Sequence, residues 1–90
     1  NHPKWEDRRD RLVAGFDERE HVITSPEILG AHIRARRKEL GYTQEEVAEF
    51  NRCSPRFVSE LERGKAGANL RQVLEIANSL GIDMLLRDRG

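Results

Sequence analysis

The 90-residue chain predicts an all-α fold of four to five short helices, closed by a brief β-strand. Three observations lead there. Capping patterns, a Thr or Asn followed three residues later by Glu or Gln, recur at Thr24, Thr43 and Asn69, each ahead of an apolar run. Three runs end at a glycine suited to a left-handed helix stop: Gly41, Gly64 and Gly81. In the middle, two short amphipathic segments are parted only by Asn51, Arg52 and Cys53, which leaves room for a tight turn and nothing longer.

Taken in order, residues 1–23 form a charged arm. Trp5, Leu12 and Phe16 permit a helical stripe with Val13 beside it, and Gly15 weakens it. Two readings stand: a solvated, partly flexible arm, or one that docks on another subunit or a partner through Trp5 and Phe16. Val22 and Ile23 have room for a very short strand. The first firm helix starts at Thr24, with Glu27 completing a capping box and Pro26 in the first turn, where its missing N–H is harmless. Ile28, Leu29, Ile33 and Leu40 make its apolar face. Thr43 and Glu46 open the next helix, which carries Val47, Ala48 and Phe50. Ser54 caps a third, and Pro55 takes its first position. Phe57 or Val58, with Leu61, buries one side of it. Pro55, Arg56, Ser59 and Glu60 face outward.

Asn69 and Gln72 open a fourth helix, apolar at Leu70, Val73, Leu74, Ile76, Ala77 and Leu80. It is richer in apolar residues than a small monomer requires, so this face, Leu74 included, is expected to meet a second subunit. Beyond Gly81 the pattern changes to a period of two, with Ile82, Met84 and Leu86 alternating with Asp83, Leu85 and Arg87. A lone strand leaves its backbone groups unpaired. The expected remedy is antiparallel pairing with a second copy across a two-fold axis, through Ile82, Met84, Leu85 and Leu86. The alternatives are an apolar tail or a fifth short helix. The chain thus divides into an arm (1–23), a helical domain (24–81) and a dimerisation strand with tail (82–90).

Composition bounds the function. Lys plus Arg and Asp plus Glu each number 16, so the net charge is zero. An indiscriminate nucleic-acid binder usually carries a basic excess. Charge is nevertheless distributed: residues 31–65 hold eight basic and six acidic side chains, while residues 1–24 hold five and six. A mild local field suits a few directed arginines better than a polybasic tail. The single cysteine, Cys53, excludes an intrachain disulfide and a thiolate metal cluster, and its place in the turn is that of a packing residue. His2, His21 and His32 have no ligand spacing with carboxylates or with Cys53. Without a glycine-rich phosphate loop or a nucleophile–base pair, neither an enzyme nor a cofactor is expected. No run reaches membrane-spanning length and no secretory apolar core is visible, so a cytoplasmic protein is the expectation. The chain begins with Asn1 rather than Met, which fits a fragment or a processed protein.

Two short helices joined by a tight turn can set the second helix into the DNA major groove by its N-terminal end. Arg56, on the first turn of that helix, suits the guanine O6 and N7 edge, or else a phosphate. Glu60, one turn on, is placed to orient Arg56 or to accept from cytosine. Gln44 suits a phosphate contact at the start of the bracing helix, or a structural bond. Ser54 is chiefly a cap whose hydroxyl can also meet phosphate, Pro55 can touch a thymine methyl, and Ser59 shares their face. Arg52, Arg63 and Lys65 are phosphate candidates. Arg34, Arg37 and Lys38 either solvate the first helix or extend a basic rim. Two such units would read a palindromic operator with half-sites about 34 Å apart.

The run from Gly41 to Ala48, then Ser54 to Lys65 with its Phe57-Val58-Ser59-Glu60-Leu61-Glu62-Arg63-Gly64 core, resembles the Xre/Cro-type, lambda-repressor-like helix-turn-helix family. Continuing through Asn69 to Met84, the chain is similar to the HipB-like antitoxins of that family, over about residues 25–87. The resemblance implies a homodimer that represses its own operon on double-stranded operator DNA. It also implies binding and neutralisation of a HipA-like Ser/Thr kinase toxin. By the same resemblance Gln44, Ser54, Arg56 and Ser59 touch DNA, and Ile82 to Leu86 make the dimer seam. One departure stands out. The family commonly sets an aliphatic residue, Gly and another aliphatic in the turn, where this chain has Asn51, Arg52 and Cys53. Arg52 must then take the turn without glycine's freedom. Two rivals remain open: a stand-alone Xre-type regulator with no toxin partner, and a protein-interaction module that binds no DNA.

Overall fold

The computed structural model describes residues 19–65 and 67–90. The stripe of Trp5, Leu12 and Phe16 lies outside them. Among the described residues four helices follow one another: α1 (Pro26–Glu39), α2 (Gln44–Phe50), α3 (Pro55–Glu62) and α4 (Leu70–Ser79). Each begins where a side-chain oxygen meets an otherwise unpartnered backbone N–H. Thr43 and Glu46 form the full reciprocal box. Ser54 accepts from the Phe57 N–H and Asn69 from the Gln72 N–H. The first cap differs from expectation by one residue. Ser25, not Thr24, accepts from the Ile28 N–H, because Pro26 then takes the first helical position, for which its fixed φ is suited. Gly41 and Gly81 end α1 and α4 at φ 81° and 71°.

The core is formed by Ile33 of α1, Val47 and Ala48 of α2, Val58 and Leu61 of α3, and Val73, Ile76, Ala77 and Leu80 of α4 and its C-cap. Val58 rather than Phe57 is the fully buried member of its pair. Several residues of the expected apolar faces are partly or mostly exposed: Ile28, Leu40, Phe50 and Leu70, and also Leu74, which was expected to meet a second subunit. Phe50 instead packs edge-on against Tyr42, ring centroids 5.0 Å apart. Before α1, the ring of His21 lies on that of His32 at 4.0 Å.

α1 crosses the C-terminal end of α3 so closely that a Cβ has no room at the contact. A methyl built on Gly30 would fall 2.7 Å from the Glu62 carbonyl oxygen, and one on Gly64 would fall 2.7 Å from the Glu27 nitrogen. Glycine in a helix interior costs about 1 kcal/mol against Ala. Here close approach of two backbones offsets it.

The expected β-strands are absent. Among the described residues none is in a strand, and 82–90 and 20–24 run as irregular chain. The period-two pattern of the tail marks alternation of side chains, but a single chain offers it no neighbouring strand for a ladder. Ile82 is also claimed from within: its N–H bonds the Ala77 carbonyl at 2.9 Å and its side chain packs on the core. Met84, Leu85 and Leu86 stay exposed, Leu86 almost fully at 96%.

Arg37 neither solvates α1 nor extends a rim. It is 8% exposed and forks onto Glu62, 6% exposed, through Nε to Oε2 at 2.6 Å and Nη2 to Oε1 at 3.0 Å. Its remaining Nη1 donates to the Tyr42 carbonyl at 2.8 Å. The hydrogen bond to Glu62 pushes the guanidinium further above its usual range, although burial works the other way. Removing one partner of such a pair strands a buried charge, at about 3–5 kcal/mol. Arg37→Met should therefore unfold at far lower urea than the parent. The double variant Arg37→Met, Glu62→Leu should recover most of the loss, and equilibrium urea unfolding of the three proteins measures both effects.

Candidate nucleic-acid interface

The α2–turn–α3 unit is held from three sides. From α1 comes the Arg37 fork on Glu62. From α2, Gln44 Nε2 donates to Glu62 Oε1 at 3.0 Å. From α4, Gln72 Nε2 donates to the Asn51 carbonyl at 3.1 Å, while Asn51 Nδ2 donates to Ser79 Oγ at 3.0 Å and to the Val47 carbonyl at 2.8 Å. The turn is thus tied to α4 and the end of α3 to α1 and α2. α3 has little freedom to change its angle.

Gln44 is half-buried and gives one amide proton to Glu62, so the second is left for an external acceptor. Ser54 Oγ accepts the Phe57 N–H at 3.1 Å and keeps its own proton to donate. Pro55 and Arg56 are exposed on the first turn of α3, while Ser59 is half-buried. The Arg56 side chain is 84% exposed and its Nε donates to Glu60 Oε2 at 3.2 Å, the one-turn pairing expected from their spacing. Lys65 Nζ lies 3.7 Å from the same oxygen. Arg63, the C-cap of α3, is exposed with Nε on the Ser59 carbonyl at 3.4 Å. A shallow hollow of about 140 Å³ opens beside Glu60, lined by Phe57, Glu60, Leu61, Lys65, Gly67 and Ala68. Arg56, Glu60 and Lys65 therefore form one contiguous charged patch. Arg52 stands apart in the turn, and Gln44 sits at the far end of α2.

Arg52 has φ 55°, the left-handed region. The missing turn glycine is thus met by backbone strain of about 1–2 kcal/mol. Cys53 keeps an apolar, half-buried place, and burial pushes its thiol up, as does the charge of Glu75.

Glu62 and Gly30 had no role of their own in the sequence reading, while Gln72 stood there only as a capping residue and Asn51 only as part of the turn. A signal existed for the first. Glu62 falls four residues after Val58, and Arg37 four after Ile33, so each charge lies on its own helix's apolar stripe. Gly30 in the middle of a helical run signals a close approach. The links of Asn51 have no sequence signature. Among the described residues, no three His, Cys, Asp or Glu side chains are grouped to hold a metal, and no helix is long and apolar enough to cross a membrane.

Two outcomes follow from this geometry. Arg52→Gly relieves the positive φ but gives the unfolded chain more freedom, so a net gain of about 0.5–1 kcal/mol is expected in thermal unfolding. The Arg56 hydrogen bond, followed by the charges of Lys65, Arg56 and Arg63, holds the Glu60 carboxyl below its ordinary 4.5 despite some opposing desolvation. A depressed carboxyl contributes stability above the unfolded value, lost as pH falls through the folded one. A carboxyl-carbon NMR titration should place the Glu60 midpoint below 4.5, and Arg56→Ala should move it back up.

A helix-turn-helix family profile matches residues 33–86. Two uncharacterized HTH-type transcriptional regulators of Sinorhizobium fredii (strain NBRC 101917 / NGR234) are similar to the chain. With y4mF it shares 38% identity over 65 residues, 70% of this chain and 86% of that one. With y4dJ the figures are 34% over 55 residues, 61% and 71%. Among solved structures, a chain of a HipA-HipB-O2-O3 complex superposes with TM-score 0.72 at 27% identity, covering 79% of this chain and 100% of that one. A chain of a HipB-O4 20mer complex gives TM-score 0.71 at 27% identity with the same coverage.

Proposed function

Because this chain belongs to the helix-turn-helix family of transcriptional regulators and is related to its HipB-like members, we propose that it is an operator-binding repressor acting as a homodimer. Within that reading it is the antitoxin of a HipBA-type module, which represses its own operon and binds and neutralises a HipA-like Ser/Thr kinase toxin. The observation that carries the DNA role is the α3 surface: an 84% exposed arginine on the first turn of a helix whose opposite face is locked by Arg37 and Glu62. A rigidly held helix whose exposed guanidinium is steadied at Nε by Glu60 can present its two Nη groups to guanine at little ordering cost.

The remaining expected contacts fit around it. Ser54, Gln44, Arg52, Arg63 and Lys65 supply donors for phosphate, Pro55 can reach a thymine methyl, and Ser59 adds a hydroxyl on the same helix. Leu70 and Leu74 of α4, with Met84, Leu85 and Leu86 of the tail, leave apolar surface uncovered, and this surface supports the homodimer. Ile82 packs partly on its own chain's core, so it offers a second subunit less apolar surface than its neighbours in the tail. The antitoxin role draws its support from the likeness to a chain of the HipA-HipB-O2-O3 complex.

The test is a titration of DNA from the chain's own promoter against a random duplex at two salt concentrations. The promoter should bind more tightly, and Arg56→Ala should weaken that binding by about 1–3 kcal/mol. Promoter binding no tighter than random sequence sinks the repressor. Co-purification with the product of an adjacent HipA-like gene tests the antitoxin role, and its failure leaves a stand-alone regulator, the reading that y4mF and y4dJ also fit.

A further inference from the structure

We propose that Glu60 is a specificity-determining residue that works with Arg56 as one unit, reading a guanine and a neighbouring cytosine while rejecting other bases. The inference rests on α3 entering the major groove, as proposed above. Its basis is how the three charges share atoms. Arg56 spends Nε on Glu60 Oε2, which leaves both Nη groups free for O6 and N7 of guanine. Lys65 Nζ also lies nearest Oε2. Oε1 is thereby left to accept from a base. The Glu60 side chain is 29% exposed, with the hollow between Phe57 and Lys65 open beside it.

The chemistry of the groove selects the partner. Cytosine presents the N4 amino donor with no acceptor beside it on the same base. Adenine pairs its N6 donor with the N7 acceptor, which repels a carboxylate. Guanine and thymine present acceptors at the corresponding positions. A carboxylate facing any of these is unpartnered in a field of phosphates. Glu60 therefore contributes one attractive contact at the right sequence and a penalty everywhere else, the repulsive element that discrimination needs. It also accounts for a groove-facing acid in a chain of zero net charge: Glu60 suppresses binding to random DNA.

The experiment is selection from a pool of short duplexes with a randomised core, using the whole chain and its Glu60→Ala and Glu60→Gln forms. The parent should recover a motif with guanine and cytosine in each half-site. Both variants should keep the guanine, lose the requirement for cytosine and show a cognate-to-random affinity ratio lower by about ten-fold. Glu60→Gln preserves shape and covers any loss of stability in Glu60→Ala. An identical motif with an unchanged ratio overturns the proposal. So does an equal rise in affinity for all sequences, which is what removing a negative charge alone would give. If the parent recovers a motif without this cytosine, only Glu60's role falls. If it recovers no motif, groove docking falls with it.

Discussion

The buried fork of Arg37 on Glu62 is the interaction on which the arrangement depends. Glu62 is the last residue of α3, and a carboxylate there opposes the helix dipole as well as the apolar interior. It persists because four donor contacts converge around the pair: Nε and Nη2 of Arg37 and Nε2 of Gln44 on the carboxylate, with Nη1 held by the Tyr42 carbonyl. Such a pair contributes little net stability against a well-packed apolar replacement. Its contribution is geometric. Two oxygens and a planar fork accept one relative orientation of α1, α2 and α3, where interchangeable methyl groups would accept several.

The glycines complete that constraint from the backbone side. Gly30 and Gly64 let α1 and the end of α3 meet main chain to main chain, which brings Arg37 within reach of Glu62. On the opposite flank Asn51 ties the turn to Ser79 and Gln72. Positioning is thus divided among three helices, none of which presents the exposed arginine itself. This explains how a domain with so small an apolar core can hold a short helix at a defined angle.

What was legible in the sequence was local. Caps at Thr43, Ser54 and Asn69, stops at Gly41, Gly64 and Gly81, and the period of the apolar residues are written within a few positions of where they act. The strain at Arg52 was legible for the same reason, since one side chain stands where φ is positive. The buried pair was half legible: both charges sit on apolar stripes, but their partnership spans 25 positions, and no local rule joins them. The strand expectation failed because period two describes where side chains point and not whether a neighbouring backbone exists. The excess of apolar residues on α4 was legible by count alone: Leu70 and Leu74 stay exposed, on the face expected to meet a second subunit.

α3 divides its two tasks between opposite sides. Val58, Leu61 and Glu62 point inward and set the fold, Pro55 and Arg56 carry almost none of the packing, and half-buried Glu60 lies between the two sides. Substitutions on the outer side can therefore accumulate with little effect on folding. On the proposed reading of α3, a duplicated gene could drift from one operator to another by a few surface changes that leave the buried side untouched. Related regulators in one cell could become deaf to each other's promoters by this route while keeping the same scaffold.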